Sequence, residues 1–307
     1  MSHFTIVIPC YNAATTLPET LASIEKQTHH GWTVICVDDG STDDTVAIVR
    51  AMFEHNPRIT LLRNRGKGPS DARNHGASHA GPGTVIAFCD ADDIWSPTKL
   101  EELARAFADP SVDAAYGQIA FFRDTPTDAV TFSTVPQGPL TIPMLLAENP
   151  VCTMSNIAVR QDSFAKTGGF DPAIVHNEDL EWLIRLVGDG AMILGIDKCQ
   201  TWYRTSAGGL SSDLEAMAAG RETALRTATR YGHAPDRAAE AIHQRYLARR
   251  SLRLGQRRTD ALRYALRGLA FSPAAFFSTP RRGVLTLAAV CAALVMPRGL
   301  SAQLFSR

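Results

Sequence analysis

The sequence predicts an α/β fold with a mainly parallel sheet and flanking helices, followed by a helical extension. Three observations predict it. Short apolar runs bounded by turn residues alternate with helical periodicity over the first 120 residues, as expected of βαβ units. The strand-like runs end in polar and acidic residues, where ligands bind in open α/β sheets. Beyond about residue 213 the pattern is helical throughout and strongly basic.

The first strand is read at 4–9, from Phe4-Thr5-Ile6-Val7-Ile8, and leads to a helix at about 15–27. A second strand, 33–38, precedes a helix at about 43–55 that Ser41 or Thr42 can cap. Ile59 to Leu62 is a short third strand, followed by a helix at about 69–80. The run Thr84 to Cys89 is a buried strand after the Gly81-Pro82-Gly83 turn. A helix at about 97–108 and a strand from Ala114 to Phe122 come next. Residues 124–140 carry Pro126, Pro136, Gly138 and Pro139 and are expected to form a loop. A helix near 141–148, a strand near 155–160 and a turn at Gly168-Gly169 follow. The helix opening at Glu178-Asp179 places Leu180, Leu183, Ile184 and Val187 on one face. Residues 253–273 resemble a single tetratricopeptide-type hairpin, too little for a repeat domain. The expected organisation is a catalytic domain at 1–212, with halves 1–123 and 141–212, and a helical region at 213–307.

A formal net charge of zero conceals a division. Residues 216–307 hold 16 Arg, no Lys and only Glu222, Asp236, Glu240 and Asp260, a net +12; residues 1–215 are correspondingly −12. Such a tail is drawn to an anionic surface. The longest apolar run, 283–296, lies between Arg282 and Arg298. It falls short of the ~20 residues that span a bilayer, so it reads as a helix at the membrane surface or packed within the protein. Six cysteines without a C-x-x-C pair argue for a reducing compartment and against zinc. The N-terminus enters a strand with no secretory signal. The expected location is cytoplasmic, peripheral to the inner face of the membrane.

The chemistry centres on Asp90-Ala91-Asp92-Asp93. Three carboxylates at a strand end repel one another unless a hard cation gathers their charge, and Mg²⁺ or Mn²⁺ with substrate phosphates suits that task. A solvated acidic turn is the competing reading. It weakens because three further polar groups share the same sheet edge: Pro9 to Asn12, Asp38 to Ser41, and Asn64 to Lys67 with Arg73-Asn74. Neither G-x-G-x-x-G nor the P-loop spacing occurs there, which removes the dinucleotide and P-loop readings.

The series Val-Ile-Pro-Cys-Tyr-Asn, Val-Asp-Asp-Gly-Ser-Thr-Asp, Ala-Arg-Asn-His-Gly, Asp-Ala-Asp-Asp and Asn-Glu-Asp-Leu-Glu-Trp resembles family 2 glycosyltransferases of the GT-A, Rossmann-like fold, over roughly residues 4–205. The resemblance implies that Asp39 binds the donor's base, with Pro9, Tyr11 and Asn12 lining the nucleoside pocket. It directs Arg73 toward the diphosphate or nucleoside. Asp90 and Asp92 become the D-x-D pair, with Asp92 and Asp93 on the Mn²⁺ or Mg²⁺ ion. Asp179 becomes the base that deprotonates the acceptor hydroxyl, so that a single in-line displacement inverts the anomeric centre. Glu178, Trp182, Tyr203 and Arg204 fall on the acceptor side, and Trp202-Tyr203-Arg204 with Ser211 resembles the closing loop. Two departures stand out. Residues 205–209 offer no histidine to a metal, and the Q-x-x-R-W motif of processive synthases is missing.

The expected function is therefore inverting transfer of one sugar from a nucleotide-sugar, a UDP-sugar by preference. The acceptor is a glycan or lipid-linked hydroxyl of the cell-envelope or exopolysaccharide type, and nucleic acid is not expected as a partner. Two alternatives make different demands. A sugar-phosphate nucleotidylyltransferase needs a glycine-rich basic loop after the first strand, where Pro9 to Asn12 stand instead. A non-catalytic nucleotide-sugar binding protein would lack the acidic cluster or the base.

Overall fold

The computed structural model describes residues 2–205, 213–255 and 257–297. Its first elements are β1 (Phe4–Cys10), α1 (Leu17–Glu25), β2 (Trp32–Asp38), α2 (Thr45–His55), β3 (Ile59–Arg63), α3 (Gly68–Ala77), β4 (Val85–Phe88), β5 (Ile94–Trp95) and α4 (Lys99–Ala106). They continue with β6 (Ala114–Phe122), β7 (Thr131–Phe132), α5 (Ile142–Ala147), β8 (Ile157–Arg160), α6 (Gln161–Lys166), α7 (Glu178–Gly188) and β9 (Ile193–Arg204). The remainder is helical: α8 (Leu214–Arg230), α9 (Arg237–Arg253), α10 (Arg258–Phe271), α11 (Pro273–Phe276) and α12 (Pro280–Val295).

The strands form one sheet in the order β3-β2-β1-β4-β8-β6-β9-β5, with β7 paired to β6. β1, β2, β3 and β4 run parallel, as do β6 and β9. The antiparallel β8 lies between β4 and β6 and joins these two parallel groups. β1 is almost wholly buried because helices cover both faces of a parallel sheet, which is why it reads as an unbroken apolar run. The core on one side gathers Phe4, Ile6, Ile8, Leu17, Leu21 and Trp32 with Trp95 and Leu100. On the other, Phe88, Phe164, Phe170 and Trp182 form an aromatic cluster with ring centroids 4.9–6.2 Å apart. α3 approaches β1 closely at Gly76, where an added Cβ would stand 2.4 Å from the Val7 side chain.

The parallel half follows the sequence expectation; the rest adds to it. β9 is a 12-residue strand that carries Trp202, Tyr203 and Arg204, so these residues are pinned in the sheet instead of riding on a closing loop. Ser211 lies outside the described residues. The 124–140 segment contributes the short strand β7.

The chain divides into two units: Met1–Leu140 with Pro150–Ser206, and Thr141–Asn149 with Ala207–Arg307. The segment 141–149, expected in the catalytic domain, joins the helical unit because α5 packs its buried Ile142, Leu145 and Leu146 face among helices that include α9. That unit has its own small core of Ala248, Ala261, Ala265, Phe276 and Val290. No helix of the described residues is long and apolar enough to cross a membrane.

Candidate functional site

The carboxyl ends of β1, β2 and β4 carry the polar residues, and short loops lock them together. Asn12 adopts the left-handed conformation, φ 48°, which asparagine tolerates better than most residues. Its amide donates to Ser41 Oγ at 3.0 Å, and its Oδ1 accepts the Thr42 amide at 2.8 Å. Asp38 closes the turn after β2 by accepting the Gly40 and Ser41 amides, both at 3.1 Å. Tyr11 stands exposed beside this turn, with the Lys67 ammonium 5.3 Å from its ring.

Asp39 is held by the loop that opens α3. Its Oδ1 accepts Asn64 Nδ2 at 2.7 Å, and its Oδ2 accepts the Gly68 amide at 2.9 Å. Gly68 has φ +86°, a conformation that glycine adopts at low cost. One lone pair on each Asp39 oxygen remains for a ligand donor. Asn64, absent from the expected site set, thus fixes the base-binding candidate.

Arg73 is buried, and its guanidinium bridges two carboxylates. Nη2 donates to Asp90 Oδ1 at 2.7 Å, and Nη1 donates to Glu178 Oε1 at 2.9 Å. Burial opposes its charge, but Asp90 and Glu178 outweigh burial and hold the proton more firmly than usual. The family resemblance directs Arg73 toward the diphosphate or nucleoside; in the structure it clamps the loop after β4 to the N-terminus of α7. Glu178, expected on the acceptor side, is the other jaw of that clamp.

The three carboxylates of the acidic loop have different surroundings. Asp90 is the most heavily bonded: besides Arg73 it accepts Thr153 Oγ1 at 3.2 Å, and its amide donates to Ser155 Oγ at 2.8 Å. Asp93 is fully buried, and its Oδ1 accepts the Arg204 amide at 2.9 Å. Burial, then Asp92 and Asp90, push its carboxyl well above the usual range. Oδ1 thus braces β9, while Oδ2 has no hydrogen-bond partner among the described residues and stays open to the metal role expected of Asp93. Asp92 is only partly buried. Burial and the Asp90 charge raise its carboxyl to about 6. Its carbonyl accepts Arg204 Nε at 3.0 Å, so Arg204 holds the loop from behind instead of facing an acceptor.

A hub beneath the loop escaped sequence reasoning. The Ser155 carbonyl accepts Trp95 Nε1, Lys99 Nζ and Thr201 Oγ1 at 2.9, 3.0 and 3.2 Å. Lys99 is wholly buried; desolvation lowers its ammonium to about 7, while nearby Cys89 and Asp93 oppose the shift. No local motif marks Ser155, because strand order alone brings it to Asp90, 65 residues away.

Asp179 occupies the first turn of α7, after Asn177 in the left-handed conformation. Burial, then the adjacent Glu178 charge, lift its carboxyl to about 7, with Arg73 pulling the other way. Trp182, expected on the acceptor side, is instead fully buried in the aromatic cluster, and its Nε1 donates to Thr167 Oγ1 at 3.0 Å. Tyr203 packs edge-on against Phe121.

Among the described residues, no group of three or more His, Cys, Asp or Glu side chains is arranged to hold a metal by itself. A hard divalent cation commonly shares one or two carboxylates with substrate phosphates. Asp92, partly exposed and free of the ion pair that occupies Asp90, fits that role.

Comparison with known proteins gives the family and the fold. The family model for glycosyl transferase family 2 matches residues 5–168. The uncharacterized glycosyltransferase YibD of Escherichia coli is 32% identical over 186 residues, covering 58% of this chain and 54% of the relative. A Haemophilus influenzae relative, an uncharacterized glycosyltransferase, is matched over 61% of its length. The chain thus spans little more than half of these two curated relatives. The E. coli UDP-Glc:alpha-D-GlcNAc-diphosphoundecaprenol beta-1,3-glucosyltransferase WfgD is 29% identical, covering 68% of this chain and 79% of the relative. Among solved structures, the mannosyltransferase PcManGT of Pyrobaculum calidifontis with GDP-Man and Mn²⁺ superposes with TM-score 0.61 at 21% identity, over 99% of this chain and 84% of that one. S. aureus TarS with UDP-GlcNAc gives TM-score 0.57 at 18% identity, over 95% and 81%. These structural likenesses establish the fold, a GT-A-type α/β sheet with flanking helices.

Proposed function

The chain belongs to glycosyl transferase family 2, and from that premise we propose that it is an inverting glycosyltransferase using a nucleotide-sugar donor, a UDP-sugar by preference. One observation carries the reading. Arg73 ties the acidic loop to the turn that presents Asp179, so donor-side and base-side chemistry share one scaffold. A non-catalytic binding protein has no use for that coupling.

In this reading the nucleoside enters between Tyr11 and the Asp39 turn, and Asp39 accepts the base's N–H. Asp92 would hold Mn²⁺ or Mg²⁺, with donor phosphates completing the oxygen ligands. When bound, that ion supplies charge stabilisation to the leaving diphosphate. Asp179 takes the proton from the acceptor hydroxyl as that oxygen attacks the anomeric carbon from the face opposite the leaving group. The acceptor is a glycan or lipid-linked sugar of cell-envelope type, as in WfgD, whose name specifies a diphosphoundecaprenol substrate. We place the enzyme at the cytoplasmic membrane face, with the basic helical region supplying the attraction.

Asp92→Asn is expected to weaken Mn²⁺-dependent donor binding by roughly 10-fold or more, the scale set by losing a charged ligand. Calorimetric titration of UDP with and without Mn²⁺ reads it; equal loss in both titrations would remove Asp92 from the metal. The pH dependence has a definite sign. Asp179 must be ionised to act and titrates at about 7, so kcat/KM should climb from about pH 6 to about pH 8. A flat profile across that window would exclude Asp179 as the base.

A further inference from the structure

The helical unit gathers several positive charges around one negative charge. Glu148 lies 3.7 Å from a guanidinium nitrogen of each of Arg245, Arg249 and Arg282. These are ion-pair distances, beyond the usual reach of a hydrogen bond. Arg245 is buried; its Nη1 donates to the Phe276 carbonyl at 2.8 Å, and its Nε finds no acceptor among the described residues. Desolvation, and then Arg249 and Arg282, lower its pKa against the pull of Glu148. The side chains of Arg249 and Arg282 remain 24% and 21% exposed, within reach of a ligand. A phosphate oxyanion accepts forked, charge-assisted hydrogen bonds from guanidinium groups placed in this way.

A second, independent feature starts on the same helix as Arg282. α12 buries Gly283, Thr286, Val290 and Ala293. Its opposite face exposes Val284, Leu285, Ala288, Cys291, Leu294 and Val295, with Val295 87% exposed. That is a continuous apolar stripe at helical spacing without a charge after Arg281, the pattern of a helix lying in a lipid interface.

We propose that this unit binds a lipid surface through phosphate headgroups, with Arg249 and Arg282 taking the phosphate and the outer stripe of α12 entering the acyl boundary. The inference rests on the membrane half of the function proposed above and names the residues that carry it. It is independent of sugar transfer.

The test is flotation of the full chain with vesicles of phosphatidylcholine alone or with phosphatidylglycerol, at low and high salt. Binding is expected only to the anionic vesicles and should fall with salt. Arg249→Gln with Arg282→Gln should weaken it about 30-fold, at ~1 kcal/mol per arginine near the surface. Leu285→Ser with Val295→Ser should weaken it at every salt concentration. Arg226→Gln with Arg230→Gln removes the same charge from α8, and binding should change much less. Equal losses from both arginine pairs would reduce the site to diffuse attraction and overturn it. Unchanged binding in the serine variant would overturn the interfacial helix. Capture of soluble pyrophosphate without vesicle binding would assign the arginines to a free phosphate compound and overturn the lipid proposal. Circular dichroism of each variant separates these outcomes from misfolding.

Discussion

Asp179→Asn is expected to lower kcat by about 10²–10⁴-fold, the contribution of a positioned general base, with donor affinity changed less than about threefold. Single-turnover transfer and UDP titration read the two quantities; comparable losses in both would make Asp179 a binding residue. The same variant makes a stability prediction of opposite sense. The folded-state pKa of about 7 lies above the ordinary aspartate value of ~3.9. In that interval the folded chain holds more protons than the unfolded one, so stability falls as pH rises, and the penalty is complete above the folded pKa. Asp179→Asn should therefore raise Tm relative to the parent at pH ~8 and leave it nearly unchanged at pH ~4. A residue whose removal stabilises the fold while abolishing turnover is kept for chemistry.

Arg73→Met should be the most damaging single change to the fold of the site. It leaves Asp90 and Glu178 as facing carboxylates without their cation, one side chain 26% and the other 13% exposed. Removing one partner of a buried pair costs about 3–5 kcal/mol, and the partial exposure of Asp90 places this case toward the lower end. Urea denaturation gives the stability, and donor titration gives the state of the acidic loop. Arg73→Lys should recover only part of either, because one ammonium cannot fork to both carboxylates in the same plane. Full recovery by lysine would reduce the clamp to simple charge balance.

The parallel half of the sheet was readable because its strands are buried on both faces and so appear as apolar runs ending in polar turns. β9 was not, because Asp197, Lys198 and Gln200 interrupt the apolar pattern and two register shifts break its pairing with β6. The acidic cluster, Asp39 and Asp179 were visible as residue types at strand and helix ends. Their division of labour was not, since it depends on partners distant in sequence: Thr153 and Ser155 for Asp90, Arg204 for Asp93, Glu178 for Arg73. Trp182 admitted two readings in the sequence, because an aromatic residue on an apolar helix has the same signature in a core as at a binding face; burial decides for the core. Helical periodicity near 141–148 was correct, but periodicity does not say which neighbours a short apolar helix will join.

The hydrogen bond from the Arg204 amide to Asp93 spans 111 residues, and its consequence lies in the order of assembly. While the chain is being synthesised, β1 to β4 can pair as soon as they leave the ribosome, since each finds its partner nearby. The acidic loop acquires its rear brace only after β6, β8 and β9 have emerged and β8 has been inserted between earlier and later strands. Contacts of such long sequence separation form slowly. Until then Arg73 can hold Asp90, but Asp93 lacks the Arg204 amide, so the rear of the acidic loop is completed only with the last strand.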